Sequence, residues 1–363
     1  MTATPPRPVV TTPTASLTAG RLAPWAVWSI LGGSIAIMLV IFGLMAVTSG
    51  EDLNIAGWAV SAGLLYLVLI FVISTIVESR RKAVDRLVTG VVTAAFVIAM
   101  VPLVSVAWTV LVNGIAALNA EFFTSSMRNV VGEGGGILHA VVGTVLITGA
   151  AAIISIPIGL MAAIYLVEYG KDNRLARGIT FLVDVMTGIP SIVAGLFAYA
   201  LFALFLGPGI RMGFMGSIAL AVLMIPVVVR STEEMLRLVP NELREAAYAL
   251  GVPKWLTITK VVLPTSIAGI TTGIMLSISR VIGETAPLLI TAGFTNSMNY
   301  DLFSGRMQTL PVFTYTQYAN QGIPPEAYLD RAWGAALVLI LIVMVLNLVA
   351  RIVAKVFSPK TGR

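Results

Sequence analysis

Long uninterrupted apolar runs, separated by short polar stretches, organise this chain. A helix needs about 20 mostly apolar residues to cross a hydrocarbon core about 30 Å thick. Runs of that order fall at 24–47, 55–77, 87–112, 137–166, 178–206, 215–229, 266–291 and 332–356. The sixth run is too short to cross alone, so the pattern predicts that its helix continues through Arg230 into 231–236. The expected fold class is an all-α polytopic membrane protein with about eight transmembrane helices.

Loop charge predicts orientation, because loops on the cytoplasmic side accumulate Lys and Arg. With the N-terminus inside, the inner segments hold Arg7 and Arg21, the cluster Arg80, Arg81, Lys82 and Arg86, then Lys171, Arg174 and Arg177. Arg230, Arg237, Arg244, Lys254 and Lys260 follow, and the end of the chain adds Arg351, Lys355, Lys360 and Arg363. The outer loops keep only Arg128, Arg211, Arg306 and Arg331. Both termini are therefore expected on the cytoplasmic side of a cell membrane.

The pattern divides the chain into a disordered cytoplasmic tail over 1–22, an N-terminal transmembrane hairpin over 23–86, a six-helix core over 87–357 and a second tail over 358–363. The composition agrees with a bilayer solvent: 58% hydrophobic, 11% charged, against about 25% charged in soluble domains. The net charge of +6 then reflects topology, not affinity for nucleic acid. No cysteine is present, which excludes disulfides, thiolate metal sites and a cysteine nucleophile. His139 is the only histidine and is expected at the membrane interface, not in a metal cluster. The glycines at 132–136 lack the Lys-Ser/Thr of a phosphate-binding P-loop and predict a flexible lead-in to the fourth span. Glu168 and Asp172 beside Lys171 are expected to form a solvated rim.

Between the sixth and seventh runs lies the longest polar excursion on the inner side, STEEMLRLVPNELREAAYALGVPKWLTITKVVLP. Pro240 and Asn241 open a short helix, Gly251 supplies a left-handed stop, and Pro253 opens a second helix. The expected product is a helix–glycine–helix elbow over 240–264. Glu245, Ala246 and Ala247, then Gly251, then Leu263 and Pro264 resemble the EAA signature of membrane subunits of ATP-binding-cassette importers. That resemblance implies that the elbow couples to a separate ATPase. No GxxxxGK followed by Ser or Thr occurs in the chain, so ATP and Mg would be used by that partner and no cofactor would be bound here.

One charge lies deep in an apolar run. Arg280 falls about 14 residues, roughly 21 Å, into the seventh span, near the bilayer centre. An arginine there costs at least about 2.5–3.5 kcal/mol, which favours a polar cavity or a partner around it. Ser277, Arg280 and Glu284 fall at i, i+3 and i+7 and are expected on one helical face. The pattern admits an internal Arg280–Glu284 pair, or an anion path in which the guanidinium offsets the loss of hydration and the carboxylate prevents over-tight retention. Arg230 extends such a path or serves as an inner anchor, and Asp184 before Gly188 and Pro190 is a further polar candidate near a helix break.

ISRVIGETAPLL and its flanks resemble the PstA phosphate importer permeases, as do DVMTGIPSIVAGLF, IPVVVRSTEEMLRLVPNELREAAYALG and LPVFTYTQYA. The likeness extends over most of 120–350. It implies a six-helix type I ABC-importer permease core, inorganic phosphate as cargo, and a complex with a PstC-like permease, two PstB-like ATPases and a PstS-like binding protein. Other EAA-bearing systems move sulfate, molybdate or phosphonate, and a secondary transporter is the remaining alternative. The 23–86 hairpin is additional to the six-span pattern.

Overall fold

A computed structural model of the chain describes residues 20, 22–170 and 173–357. The expected tails over 1–22 and 358–363, apart from residues 20 and 22, and the pair Lys171 and Asp172, lie outside the described residues. The chain forms two compact units, residues 1–106 and 107–363. Among the described residues all regular structure is helical.

In the first unit, α1 (Pro24–Ser49) and α2 (Ile55–Val77) form a hairpin. Proline at the first position of α1 sacrifices only an amide that would be unpaired anyway. Gly50 ends the helix in the left-handed region at φ 69°, and Asn54 caps α2 by accepting from Gly57 N at 2.8 Å. α1 is apolar all round and largely exposed, as a helix in hydrocarbon must be. Glu78 closes the base of this unit. Its carboxylate accepts from Leu22 N at 2.8 Å, Ser74 Oγ at 2.7 Å, and Arg86 Nε and Nη2 at 2.9 and 3.0 Å. Arg86 lies on α3 (Arg80–Ala117), which runs on past the end of this unit.

The second unit is built around α8 (Gly213–Arg237), the most buried of the long apolar helices. It continues through Arg230 to Arg237, as the short sixth run predicts. α4 (Ala120–Thr124) precedes α5 (Leu138–Ile164), which ends in a π-helical turn, Tyr165–Tyr169. α5 and α8 approach closely because small residues line their seam. A β-carbon on Gly159 would lie 2.6 Å from Val228, and Ser217 Oγ donates to Ile147 O at 3.0 Å. Ile147, Leu220, Met224, Val228, Val281 and Leu288 form the core.

Among the described residues seven helices are long and apolar enough to cross a membrane, and one bent pair makes up to eight. The fifth run, expected as one span, is α6 (Arg174–Thr187) and α7 (Ser191–Leu206), bent by 111° at the Gly188–Pro190 step. Proline lacks the amide that would continue the ladder, and the residue before it is driven out of the helical region. The seventh run is also discontinuous. After α9 (Asn241–Ala249), α10 (Lys254–Thr257) and the π-helical turn Ile258–Val262, α11 (Leu263–Val281) stops ten residues short of the expected end, and α12 (Ala286–Thr291) follows a non-helical step. α13 (Leu310–Ala319) and α14 (Pro325–Phe357) complete the chain.

The starts of α5 and α14 are held by buried polar contacts, which correct one expectation. His139, at the first turn of α5, is buried within the protein: its Nε2 lies 3.2 Å from Gln308 Oε1 and its ring packs edge-on against Phe313. The glycine stretch at 132–136 is pinned, not free. Arg331, 4% exposed, donates to Gly132 O at 2.7 Å and Gly134 O at 2.9 Å, and to Gln317 Oε1 at 3.0 Å.

Candidate functional site

The elbow forms as the spacing predicts, and its turn can be traced bond by bond. Gly251 adopts φ 76°; its amide donates to Tyr248 O at 2.9 Å, and Val252 N donates to Ala247 O at 3.1 Å. These are the two bonds that close a Schellman cap, which requires a left-handed residue at that position. Ala247 is buried, whereas Glu245 and Ala246 are exposed on the outer face of α9. Leu263 is half-buried and Pro264 exposed at the first turn of α11. The tip carries Leu250 at 84% and Trp255 at 62% exposure. The sequence reading did not single these two out; the signal was available as two large apolar residues beside a turn in a polar loop.

What holds the elbow is a buried ion pair. Arg244 donates from Nε and Nη2 to Glu168 Oε1 at 3.0 and 2.8 Å, and its remaining donors reach Val239 O at 2.7 Å and Leu236 O at 3.0 Å. Glu168 is 5% exposed, so the expected solvated rim is corrected: the carboxylate is an internal anchor. Its residue sits in the π-helical turn, whose wider ring turns the side chain inward from the end of α5. Lys254 at the far side of the elbow donates to Glu168 O and lies 4.8 Å from the centre of the Tyr169 ring.

Beside the elbow opens a cavity of about 910 Å³, lined among others by Glu168, Arg177, Asp184, Glu233, Arg237 and Arg244. A chain of charges runs along its wall. Asp184 on α6 pairs with Arg230 on α8, Arg230 Nη1 donates to Glu233 Oε2 at 2.8 Å, and Arg237 Nη2 donates to Glu233 Oε1 at 2.5 Å. Arg230 therefore carries two carboxylate partners, and the α6 half of the broken span is tied to α8 through it.

Arg280 occupies a different level. α11 runs antiparallel to α8, with Gly273 against Ser231 and Gly269 against Met235. Continued for two turns, that register puts Arg280 level with the Met224 region, about half-way along α8. Val281 packs in the same cluster as Met224, which agrees with this depth. The helix ends there. Residues 282–285 are non-helical, Arg280 and Gly283 are exposed, and Glu284 and Thr285 are half-buried. Backbone outside a helix is tolerated at membrane depth only where protein covers it or it lines an aqueous cavity.

The break corrects the shared face expected for Ser277, Arg280 and Glu284, since Glu284 lies beyond the last turn. Ser277 is fully buried and its Oγ donates to Ile274 O at 2.6 Å, so its hydroxyl is turned into the core while Arg280 is exposed. Among the described residues no ion pair joins Arg280 to Glu284.

Residues 155–363 match the family described as binding-protein-dependent transport system inner membrane component. The chain is 48% identical over 277 residues to a phosphate transport system permease protein PstA 1 of Mycobacterium tuberculosis, covering 76% of this chain and 90% of the relative. It is 38% identical over 286 residues to the PstA of Yersinia pestis, covering 77% of this chain and 95% of the relative. The inward-facing MetNI methionine ABC transporter matches in fold with a TM-score of 0.51 at 18% identity, covering 61% of this chain and 96% of that one. This multi-pass membrane protein thus belongs to the binding-protein-dependent transport inner-membrane family, alongside the PstA permeases.

Proposed function

We propose that this chain is the PstA-type membrane subunit of an ATP-driven importer and that its cargo is inorganic phosphate. The observation that carries the reading is Arg280, an exposed guanidinium at mid-depth beside a helix break, in a chain 48% identical to a phosphate transport permease. An oxyanion entering hydrocarbon loses its hydration, and a guanidinium that presents paired N–H groups replaces it. Glu284, across the break, keeps that interaction from becoming a trap. Arg230, held by Asp184 and Glu233, takes part only when those carboxylates yield it.

On this reading the elbow residues Glu245, Ala246, Ala247, Gly251, Leu263 and Pro264 form the seat for an ATPase, with Leu250 and Trp255 entering its cleft. ATP and Mg are then used by two PstB-like subunits, a PstC-like permease completes the path, and a PstS-like protein delivers phosphate from outside. Both chain ends lie in the cytoplasm, and the core from 87 onward carries these functions.

The test is radiolabelled phosphate uptake in a transport-deficient host expressing all partners, with and without this chain, with sulfate and molybdate as competitors. Uptake that requires this chain and ATP and resists both competitors supports phosphate. An assembled complex without chain-dependent uptake overturns it. Arg280→Ala abolishes uptake while leaving assembly intact, and it orphans no partner because Glu284 is not paired with it.

A further inference from the structure

At the end of α8 remote from the elbow, two arginines meet around one glycine. A β-carbon on Gly293 would lie 3.1 Å from Arg211 Cδ and 3.4 Å from Arg306 Cδ. Gly293 itself adopts φ 71°, so this position suits glycine on both conformational and steric grounds. The two stems are fixed from below by backbone bonds among three loops. Met212 N donates to Thr291 O at 3.3 Å, Phe214 N to Leu302 O at 2.7 Å, and Met307 N to Ala292 O at 3.1 Å. Met212, Ala292 and Met307 are all buried, which makes this base rigid. Arg211 is half-buried and Arg306 exposed above it.

Two arginine stems held beside one another favour a counter-charge between them. Among the described residues neither guanidinium makes an ion pair or hydrogen bond; Arg306 only lies 6.0 Å from the centre of the Phe294 ring. Asp301, the acid nearest Arg306 in sequence, spends Oδ1 on Phe303 N at 2.8 Å. Met212 leads into α8 in extended conformation, and the first turn of α8 adds no acid that could neutralise Arg211.

We propose that Arg211 and Arg306, at the mouth above α12, form a receiving site for a tetrahedral oxyanion. The site takes inorganic phosphate before the ion moves down to Arg280. α12 is six residues, about 9 Å, and is the only helix between the two levels along the chain. The inference rests on the phosphate-importer reading and adds its first station. The same chemistry would also hold the phosphate of an anionic lipid, and the test separates the two.

The complete complex carrying Arg211→Gln and Arg306→Gln is reconstituted in vesicles of phosphatidylcholine alone and in vesicles with added phosphatidylglycerol. Phosphate uptake below saturation is expected to fall about tenfold in both, as loss of charge-assisted hydrogen bonds implies. ATPase stimulation by the binding protein stays at the parent level, and the double Lys variant regains most of the uptake. Unchanged uptake overturns the site. A defect confined to the anionic vesicles assigns the pair to lipid, and lost ATPase stimulation assigns it to protein docking; each also overturns it. If the parent complex itself moves no phosphate, the importer reading fails. The site is then judged by equilibrium dialysis of labelled phosphate and sulfate: weaker binding by the Gln variant sustains it, and equal binding removes it.

Discussion

Arg244 and Glu168, 76 residues apart, are joined by two N–H groups of one guanidinium on a single carboxylate oxygen. Both side chains are largely buried, 12% and 5% exposed. With Leu236 O and Val239 O also engaged, the elbow, the end of α8 and the π-helical turn after α5 are linked through one residue. Force applied to the elbow therefore reaches two core helices at once.

Removing one partner of a buried pair costs about 3–5 kcal/mol, because the other is left uncompensated. Arg244→Ala is expected to loosen the elbow, with faster proteolysis at 238–256 and ATP hydrolysis that no longer drives uptake. Arg244→Ala combined with Glu168→Met should recover protease resistance but not coupling.

Gly251 has no atom within 4 Å of a would-be β-carbon, so substitution there costs conformation, not space. Gly251→Asn should retain most ATPase copurification. Gly251→Leu should lose it, at a local cost of about 1–2 kcal/mol.

Gly195 on α7 faces Pro287 on α12, with only 2.6 Å between a would-be β-carbon and Pro287 Cα. Gly195→Val should force α12 outward, at a cost of about 1–3 kcal/mol or more. Because α12 begins two residues after Glu284, uptake should fall more than thermal stability in detergent does.

The pH response of the hairpin has a definite sign. Burial raises the Glu78 pKa, but the bonds from Arg86, Ser74 and Leu22 outweigh it and lower the value from 4.5 to about 2. A carboxylate with a depressed folded-state pKa stabilises above its unfolded value and loses that stabilisation as pH falls toward the folded one. Hairpin stability should therefore be level above pH 4.5 and decline between 4.5 and 2. Glu78→Gln should abolish that decline in a thermal-melting series.

The sequence made the crossings legible because apolar length is a local property, and α8 extends beyond Val229 as its short run requires. The break between α6 and α7 is legible in Gly188 and Pro190. The one between α11 and α12 was harder to see: both halves are apolar, so hydropathy passes over it, although Gly283 and Pro287 mark the place. The elbow was legible from its glycine and prolines. The residues that fasten it were not: Glu168 with Arg244 and Asp184 with Arg230 are separated by 76 and 46 positions, and no local spacing reports such pairs. The partner of His139 was hidden for the same reason, since Gln308 lies 169 residues on.

The non-helical step at 282–285 also bears on the life of the chain before assembly. Ile282 N and Glu284 N still bond back to α11, but a step outside the helix next to an exposed guanidinium is poorly tolerated against lipid. On the importer reading a second subunit covers this step, so a copy left without that partner is expected to turn over faster in the membrane than one held in the complex.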